Sequence, residues 1–301
     1  MVRRMQWPTI SIVTPSFNQG RYLEATIDSV LSQGYPNLEY IIIDGGSTDN
    51  SLEIIKKYAA YLHFWSSKPD EGHYSAINKG FTKAGGDVFA WLNSDDMYCR
   101  DALKTVGTIF ADFPDVAWLT TLRQTVFNSR GQRISTKQVP GFSRQAFLDG
   151  LYVTKPFSGL GFIQQESTFW RHELWKKAGG IRTAFGLAGD FDLWARFFSH
   201  ADLYGVDQPL AGFRIHENNR SRVADTYIRE AGQSLEEMRH RLNWSRGNRI
   251  ASFWQGLKQA PPIRRLSNAF HIPWKNKYSA AVISKAETNM EGRWQIKTVY
   301  F

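Results

Sequence analysis

Two apolar runs in this sequence end in acid: Tyr40-Ile41-Ile42-Ile43-Asp44 and Phe89-Ala90-Trp91-Leu92-Asn93-Ser94-Asp95-Asp96. Asn93, Asp95 and Asp96 put oxygen donors within one short turn. Such donors suit Mg2+ or Mn2+, which keep several waters and bind substrate phosphates through only one or two protein carboxylates. A divalent ion there would hold a diphosphate and neutralise it as it leaves. Neither stop identifies a site alone, since Asp-Asp pairs occur in plain surface turns and Asp44 could simply cap the next helix. Their repetition points to a shared ligand edge.

That edge needs strands to form it. Residues 10–14 read as a strand stopped at Pro15, 38–43 as a second, 62–66 as a third, 87–92 as a fourth and 116–120 as a fifth. Helical spacing fills the gaps at 22–31, 50–61, 74–83 and 101–110. Strands alternating with helices predict an α/β fold with a doubly wound, mostly parallel sheet covered on both faces, whose ligands bind beyond the strands' carboxyl ends. Further on, 121–139 reads as a hairpin or excursion, 142–150 as a helix, and 162–170 as extended. A helix over 173–178 is stopped by Gly179-Gly180, and helices follow over 190–198 and 228–244.

Composition excludes several classes. Of 301 residues, 42% are hydrophobic and 22% charged, an ordinary globular balance. A single cysteine, Cys99, leaves no internal disulfide and no cysteine-rich metal site. No signal-peptide pattern or membrane-length apolar run is present, so a cytoplasmic location is expected. The net charge of +9 alone is weak support for nucleic-acid binding, for which no motif exists, so no nucleic-acid partner is expected. Neither a Gly-x-Gly-x-x-Gly turn nor a phosphate loop ending Gly-Lys-Ser/Thr follows the first strand. In residues 251–301, Lys258, Arg264, Arg265, Lys275 and Lys277 interleave with Phe253, Trp254, Phe270 and Trp274. This mixture suits anionic lipid, though a packed helical tail with a solvated face accounts for it equally.

Two blocks, TPSFNQGRYLEATIDSVLSQGYPNLEYIIIDGGSTDNS and KPDEGHYSAINKGFTKAGGDVFAWLNSDD, resemble the inverting glycosyltransferases of family 2, with the GT-A fold, including those of bacterial polysaccharide and O-antigen synthesis. A third, GFIQQESTFWRHELWKKAGGIRTAFGLAGDFDLWARF, is similar to their acceptor-side half, so the resemblance runs over about 10–216. It implies a glycosyltransferase domain over 1–220, with a nucleotide-binding half at about 8–120 and an acceptor-side half at 121–220. Residues 221–301 would then be a helical, basic-aromatic extension. The resemblance implies that Thr14, Pro15, Ser16 and Asn18 embrace the nucleotide with Asp44, and that Asp70 and Asn78 belong to the donor-binding set. Asn93-Ser94-Asp95 stands where the family has Asp-x-Asp; the amide at 93 can still bond a ribose hydroxyl. Asp95 would then meet the metal and diphosphate, with Asp96 and His216 as its companions at the ion. Gln164, Gln165 and Glu166 would contact a sugar. Asp190, preceded by Gly189 where many members have Glu, matches the catalytic base and is preferred over Asp192, which lies on another face of the helix.

The implied reaction is a single displacement. Asp190 deprotonates an acceptor hydroxyl as it attacks the anomeric carbon of a nucleoside-diphosphate sugar, UDP-linked by the family's habit, and configuration inverts. The acceptor would be a glycan or polyprenyl-linked saccharide, reached at the membrane face through 251–301. A sugar nucleotidyltransferase would share sheet and metal but lacks its glycine-rich basic loop here. A non-catalytic binding module would need neither Asp95 nor Asp190.

Overall fold

The computed structural model describes residues 6–153, 160–219, 224–244, 278–286 and 293–301. Strands β1 (Ile10–Ser16), β2 (Leu38–Asp44), β3 (Phe64–Ser67) and β4 (Val88–Trp91) are linked by helices α1 (Gly20–Leu31), α2 (Ser51–Tyr58) and α3 (His73–Phe81). Every residue of β1 is buried, as expected of a strand covered on both faces. Helix α1 places Tyr22, Leu23, Ile27 and Val30 on one buried face, the helical spacing seen in the sequence. Helix α3 crosses β1 closely because Gly80 has no side chain; a Cβ there would fall 2.4 Å from Val13 Cγ1.

The chain continues through β5 (Met97–Tyr98), α4 (Ala102–Asp112), β6 (Trp118–Thr121), β7 (Arg123–Phe127), β8 (Arg133–Gln138) and α5 (Arg144–Leu148). Then come β9 (Phe169–Arg171), α6 (His172–Ala178), α7 (Gly189–Phe198), β10 (Tyr204–Val206), β11 (Ala211–Arg214), α8 (Ala224–Arg241), β12 (Ser279–Lys285) and β13 (Trp294–Tyr300). The main sheet runs β13-β12-β10-β6-β9-β4-β1-β2-β3, and a smaller one runs β5-β11-β7-β8. In the main sheet β9 is antiparallel to both neighbours and β13 to β12, while the other pairs are parallel.

The parallel order β4-β1-β2-β3 sends the loops after these strands to one edge. Antiparallel β9 enters the sheet from that same edge, so the 3-10 turn Gln165–Ser167 before it lies there too. There, residues 162–170 are not extended throughout as expected: the Gln165 side chain donates to Trp91 O at 2.7 Å and folds the segment onto the end of β4.

The C-terminal expectation requires correction. Helix α8 forms, but residues 279–285 and 294–300 are strands, not helix. Strand β12 buries Ala280, Val282 and Ile283 and extends the main sheet beside β10. The described residues after 220 are therefore a helix followed by two strands that extend the main sheet, not helix throughout. The rest of the expected basic-aromatic tail, 251–277, lies outside the described residues.

Helix α7 is held from both sides. Trp194 stacks on Trp91 (centroids 5.8 Å, planes 10° apart) and on Trp118 (5.6 Å). On its other side the buried Asp192 carboxylate takes hydrogen bonds from Arg196 (2.8 and 3.0 Å), from Ser234 of α8 (2.9 Å) and from Arg182. Removing one partner from a buried ion pair strands the others. Asp192→Ala should therefore cost about 3–5 kcal/mol in urea unfolding, against about 1 kcal/mol for Ser234→Ala; equal effects would contradict the clamp.

Candidate active site

The first wall of the site is built from backbone turns. Asp44, fully buried at the end of β2, accepts Gly46 N (3.2 Å), Ser47 N (2.9 Å) and the Ser67 hydroxyl (2.7 Å) on Oδ2, and the Ser47 hydroxyl on Oδ1. Its carboxylate thus shapes the Gly45–Ser47 turn. Asn18, held at φ 52, accepts Thr48 N at 2.8 Å and ties the turn after β1 to the one after β2. The Asp70 carboxylate lies over Gly45, 3.3 Å from where a Cβ would stand. Phe17, at the head of this crevice, is 60% exposed. Thr14 and Pro15 are buried in β1, and the Thr14 hydroxyl pairs with Tyr40 (3.1 Å), so neither side chain opens into the crevice. Ser16 is buried, and its hydroxyl has no partner among the described residues.

The turn after β4 separates its two acids. Asp96 is fully buried and accepts Arg214 N (2.9 Å) and the Asn93 amide (3.2 Å), which joins the turn to β11. Burial pushes its pKa well above the usual carboxylate range, and the charges of Asp95 and Glu166 add to this. Asp95 instead reaches His216, Oδ2 to Nε2 at 2.9 Å. His216 Nδ1 lies 3.2 Å from Asn218 N. Its ring stacks on Tyr22 of α1 (4.5 Å). Ser94 is buried, and its carbonyl accepts the Thr26 hydroxyl (3.0 Å). Among the described residues no three His, Cys, Asp or Glu side chains form a metal cluster.

Asp190 enters from the first turn of α7. Burial raises its pKa to about 7, with a smaller push from Glu230. The turn before it is tightly held: Glu230 of α8 accepts Gly186, Leu187 and Ala188 N–H groups at 2.8–3.1 Å. The Tyr74 hydroxyl donates to Leu187 O (2.6 Å) and accepts Gly189 N (3.0 Å). The Tyr74 ring also explains Gly189, where a Cβ would fall 2.7 Å from it. Glu166 is buried with Oε1 unpaired among the described residues; burial, together with the charges of Asp190 and Asp95, raises it to about 7. It is electrostatically linked to both acids.

The sheet thus brings Asp44, Asp70, Asn93, Asp95, Glu166, Asp190 and His216 to one end of the fold. Asn78 is not among them: its amide is spent on both backbone groups of Ile181 (2.8 and 3.0 Å), holding the bend after α6. Gln165 likewise commits its nitrogen to Trp91, leaving Oε1 unpaired among the described residues. Sequence inspection passed over Phe17, Tyr22, Arg214, Tyr74 and Glu230. Arg214 alone carried a signal, standing two residues before His216.

Residues 11–168 match the family model described as Glycosyl transferase family 2. The chain belongs to this family. An uncharacterised glycosyltransferase of Mycobacterium tuberculosis is 31% identical over 191 residues, 61% of this chain and 66% of the relative. One of Rickettsia typhi is 24% identical over 224 residues, 74% and 69% of the two chains. The chain thus spans just under two thirds of the first relative's length. Staphylococcus aureus TarS in complex with UDP-GlcNAc shares the fold (TM-score 0.60, 15% identity, 87% of this chain and 73% of TarS). So does the Pyrobaculum calidifontis mannosyltransferase PcManGT with GDP-Man and Mn2+ (TM-score 0.51, 14% identity, 87% and 84%). The GT-A-like architecture expected of family 2 is the one present.

In this family 2 chain the raised Asp190 has a consequence for stability. Between about pH 4 and pH 7 the folded state holds a proton that the unfolded chain has released, so this group's contribution falls as pH rises through that window. Asp190→Asn removes the loss, while Glu166 titrates in both proteins. The variant should gain on wild type by roughly 2–4 kcal/mol between pH 4 and pH 8 in urea unfolding. A flat difference would contradict the raised carboxyl.

Proposed function

We propose that this chain transfers a sugar from a nucleoside-diphosphate sugar to an acceptor hydroxyl, with inversion at the anomeric carbon. The observation that carries this reading is the Asp95–His216 pair sharing one edge of the sheet with a separately held, raised Asp190. One carboxylate and one imidazole fit Mn2+ or Mg2+, leaving the remaining positions to water and phosphate oxygens. When bound, the ion would supply positive charge to the diphosphate as it leaves.

The chain's own residues do the rest. Asp190 takes the acceptor hydroxyl proton as that oxygen attacks the anomeric carbon, and the bond to the diphosphate breaks with its electron pair leaving on the nucleotide. A pKa of about 7 suits a general base at neutral pH. Tyr74 and Glu230 keep the base on its turn. Glu166, with Oε1 unpaired among the described residues, is placed to hold a sugar hydroxyl. Phe17 offers an exposed face for a nucleobase, with Asp70 and the Asp44-shaped turn below it. Asp96 and Asn78 support the turns around the site.

The donor is expected to be UDP-linked; one fold neighbour binds UDP-GlcNAc and another GDP-Man. For the acceptor, a bacterial surface polysaccharide such as an O-antigen, built on a polyprenyl carrier at the cytoplasmic membrane face, agrees with the basic-aromatic composition of 251–277. Among the described residues no helix is long and apolar enough to cross a membrane.

Release of nucleoside diphosphate from UDP-, GDP- and dTDP-sugars, with Mn2+ and lipid-linked saccharides, tests the activity. Asp190→Asn should lower kcat about 10²–10⁴-fold with donor KM little changed, and Asp95→Ala should abolish Mn2+-dependent nucleotide binding. Full activity in Asp190→Asn would remove the base, and no turnover of any donor would leave a binding module. Truncating 251–301 is unsuitable for testing membrane contact, because it strips β12 and β13 from the sheet. Replacing Lys258, Arg264 and Arg265 by Glu should instead weaken sedimentation with anionic phosphatidylglycerol vesicles; unchanged sedimentation would rule out that contact.

A further inference from the structure

Arg214 closes β11 with only 2% of its surface exposed, yet among the described residues neither Nε nor Nη2 has a hydrogen-bond partner. Other buried arginines differ. Arg196 binds Asp192 and the carbonyls of Ala178 and Gly180, and Arg239 binds Leu148 O. Unmade donors on a buried cation are costly, and a native chain that keeps them commonly does so for a group that arrives later.

The surroundings say what kind of group. The guanidinium lies over the Tyr22 ring (5.1 Å to its centroid), and that ring stacks on His216, the partner of Asp95. The Arg214 backbone N–H holds Asp96. Burial pulls the Arg214 pKa down while the charges of Asp96 and Asp95 oppose this, so the carboxylates lie near the cation, but neither takes its Nε or Nη2 hydrogens. Those two nitrogens form one edge of the planar fork, spaced for two oxygens of a phosphate.

We propose that Arg214 is a direct ligand of the donor's diphosphate, gripping it through Nε and Nη2 beside the Asp95–His216 pair; this rests on the glycosyl-transfer reading above. The residue supplies permanent positive charge to the leaving nucleotide, whereas Tyr22 fixes both the guanidinium and the imidazole that flank it.

The test is calorimetric titration of the full chain with inorganic pyrophosphate, UDP and GDP, each with Mn2+, in wild type, Arg214→Met and Arg214→Lys. Arg214→Met should lose about ten- to a hundredfold in pyrophosphate and nucleotide affinity, and Arg214→Lys, a point charge without the fork, should recover only part. Mn2+ affinity measured alone by electron paramagnetic resonance should not weaken, since Asp95 and His216 remain. If Arg214→Met fails to fold, Arg214→Lys decides. Variants that bind pyrophosphate like wild type would overturn the role of Arg214 while leaving the wild-type nucleotide site standing. A wild type that binds none of the three would overturn the glycosyl-transfer reading itself.

Discussion

Four carboxyl groups, those of Asp95, Asp96, Glu166 and Asp190, share one poorly hydrated end of the sheet, and they cannot all carry charge without cations. Desolvation disfavours the charges of Asp96, Glu166 and Asp190, and the charge of Asp95 raises Asp96 and Glu166 further. The chain meets this constraint differently at each acid. Asp96 is turned inward onto Arg214 N and Asn93. Asp190 and Glu166 titrate near neutrality. Asp95 faces His216 and stays partly open. Arg214 is a cation already beside Asp95 and Asp96, and four acids beside one guanidinium leave the site suited to receive a divalent ion and the anion that travels with it.

The fold assembles this end from distant stretches of chain. Parallel strands β1, β2 and β4 carry the turns of Asn18, Asp44 and Asp95 outward, and antiparallel β9 brings Glu166 to the same edge. The small sheet contributes β11, whose end carries Arg214 and, just beyond, His216. Helix α7 delivers Asp190 on a base of stacked tryptophans and is locked by Asp192 to α8. Helix α8 lies outside the segment matched by the family model, yet its Glu230 carries the turn before Asp190.

What the sequence made legible follows from which interactions are local. The long buried runs of β1 and β2 and the periodic helices α1, α3 and α7 were visible because burial on both faces and helical spacing leave patterns within one segment. The acids at the strand ends were visible for the same reason. Strands β10 and β11 were not: they span three and four residues, include Gly205 and Gly212, and exist through pairing with distant β6, β12 and β7. Small residues in Ser279-Ala280-Ala281 hid β12. Within the site, the choices of Asp95 over Asp96 and of Asp190 over Asp192 came from the family resemblance and the helix face, while the partners that hold Asp96 and Asp192 lie more than a hundred residues or a helical turn away and left no local pattern. The bond of Asn78 to Ile181 is equally non-local.

The central claim, that the Asp95–His216 pair is the cation end of a nucleotide-sugar site, is tested most directly by anomalous diffraction from crystals soaked in Mn2+ with UDP, and in parallel with GDP or dTDP. The account predicts one manganese peak between the Asp95 carboxylate and His216 Nε2, with diphosphate oxygens completing its coordination. Nucleotide density without manganese at that pair, or manganese bound elsewhere on the chain, would contradict it.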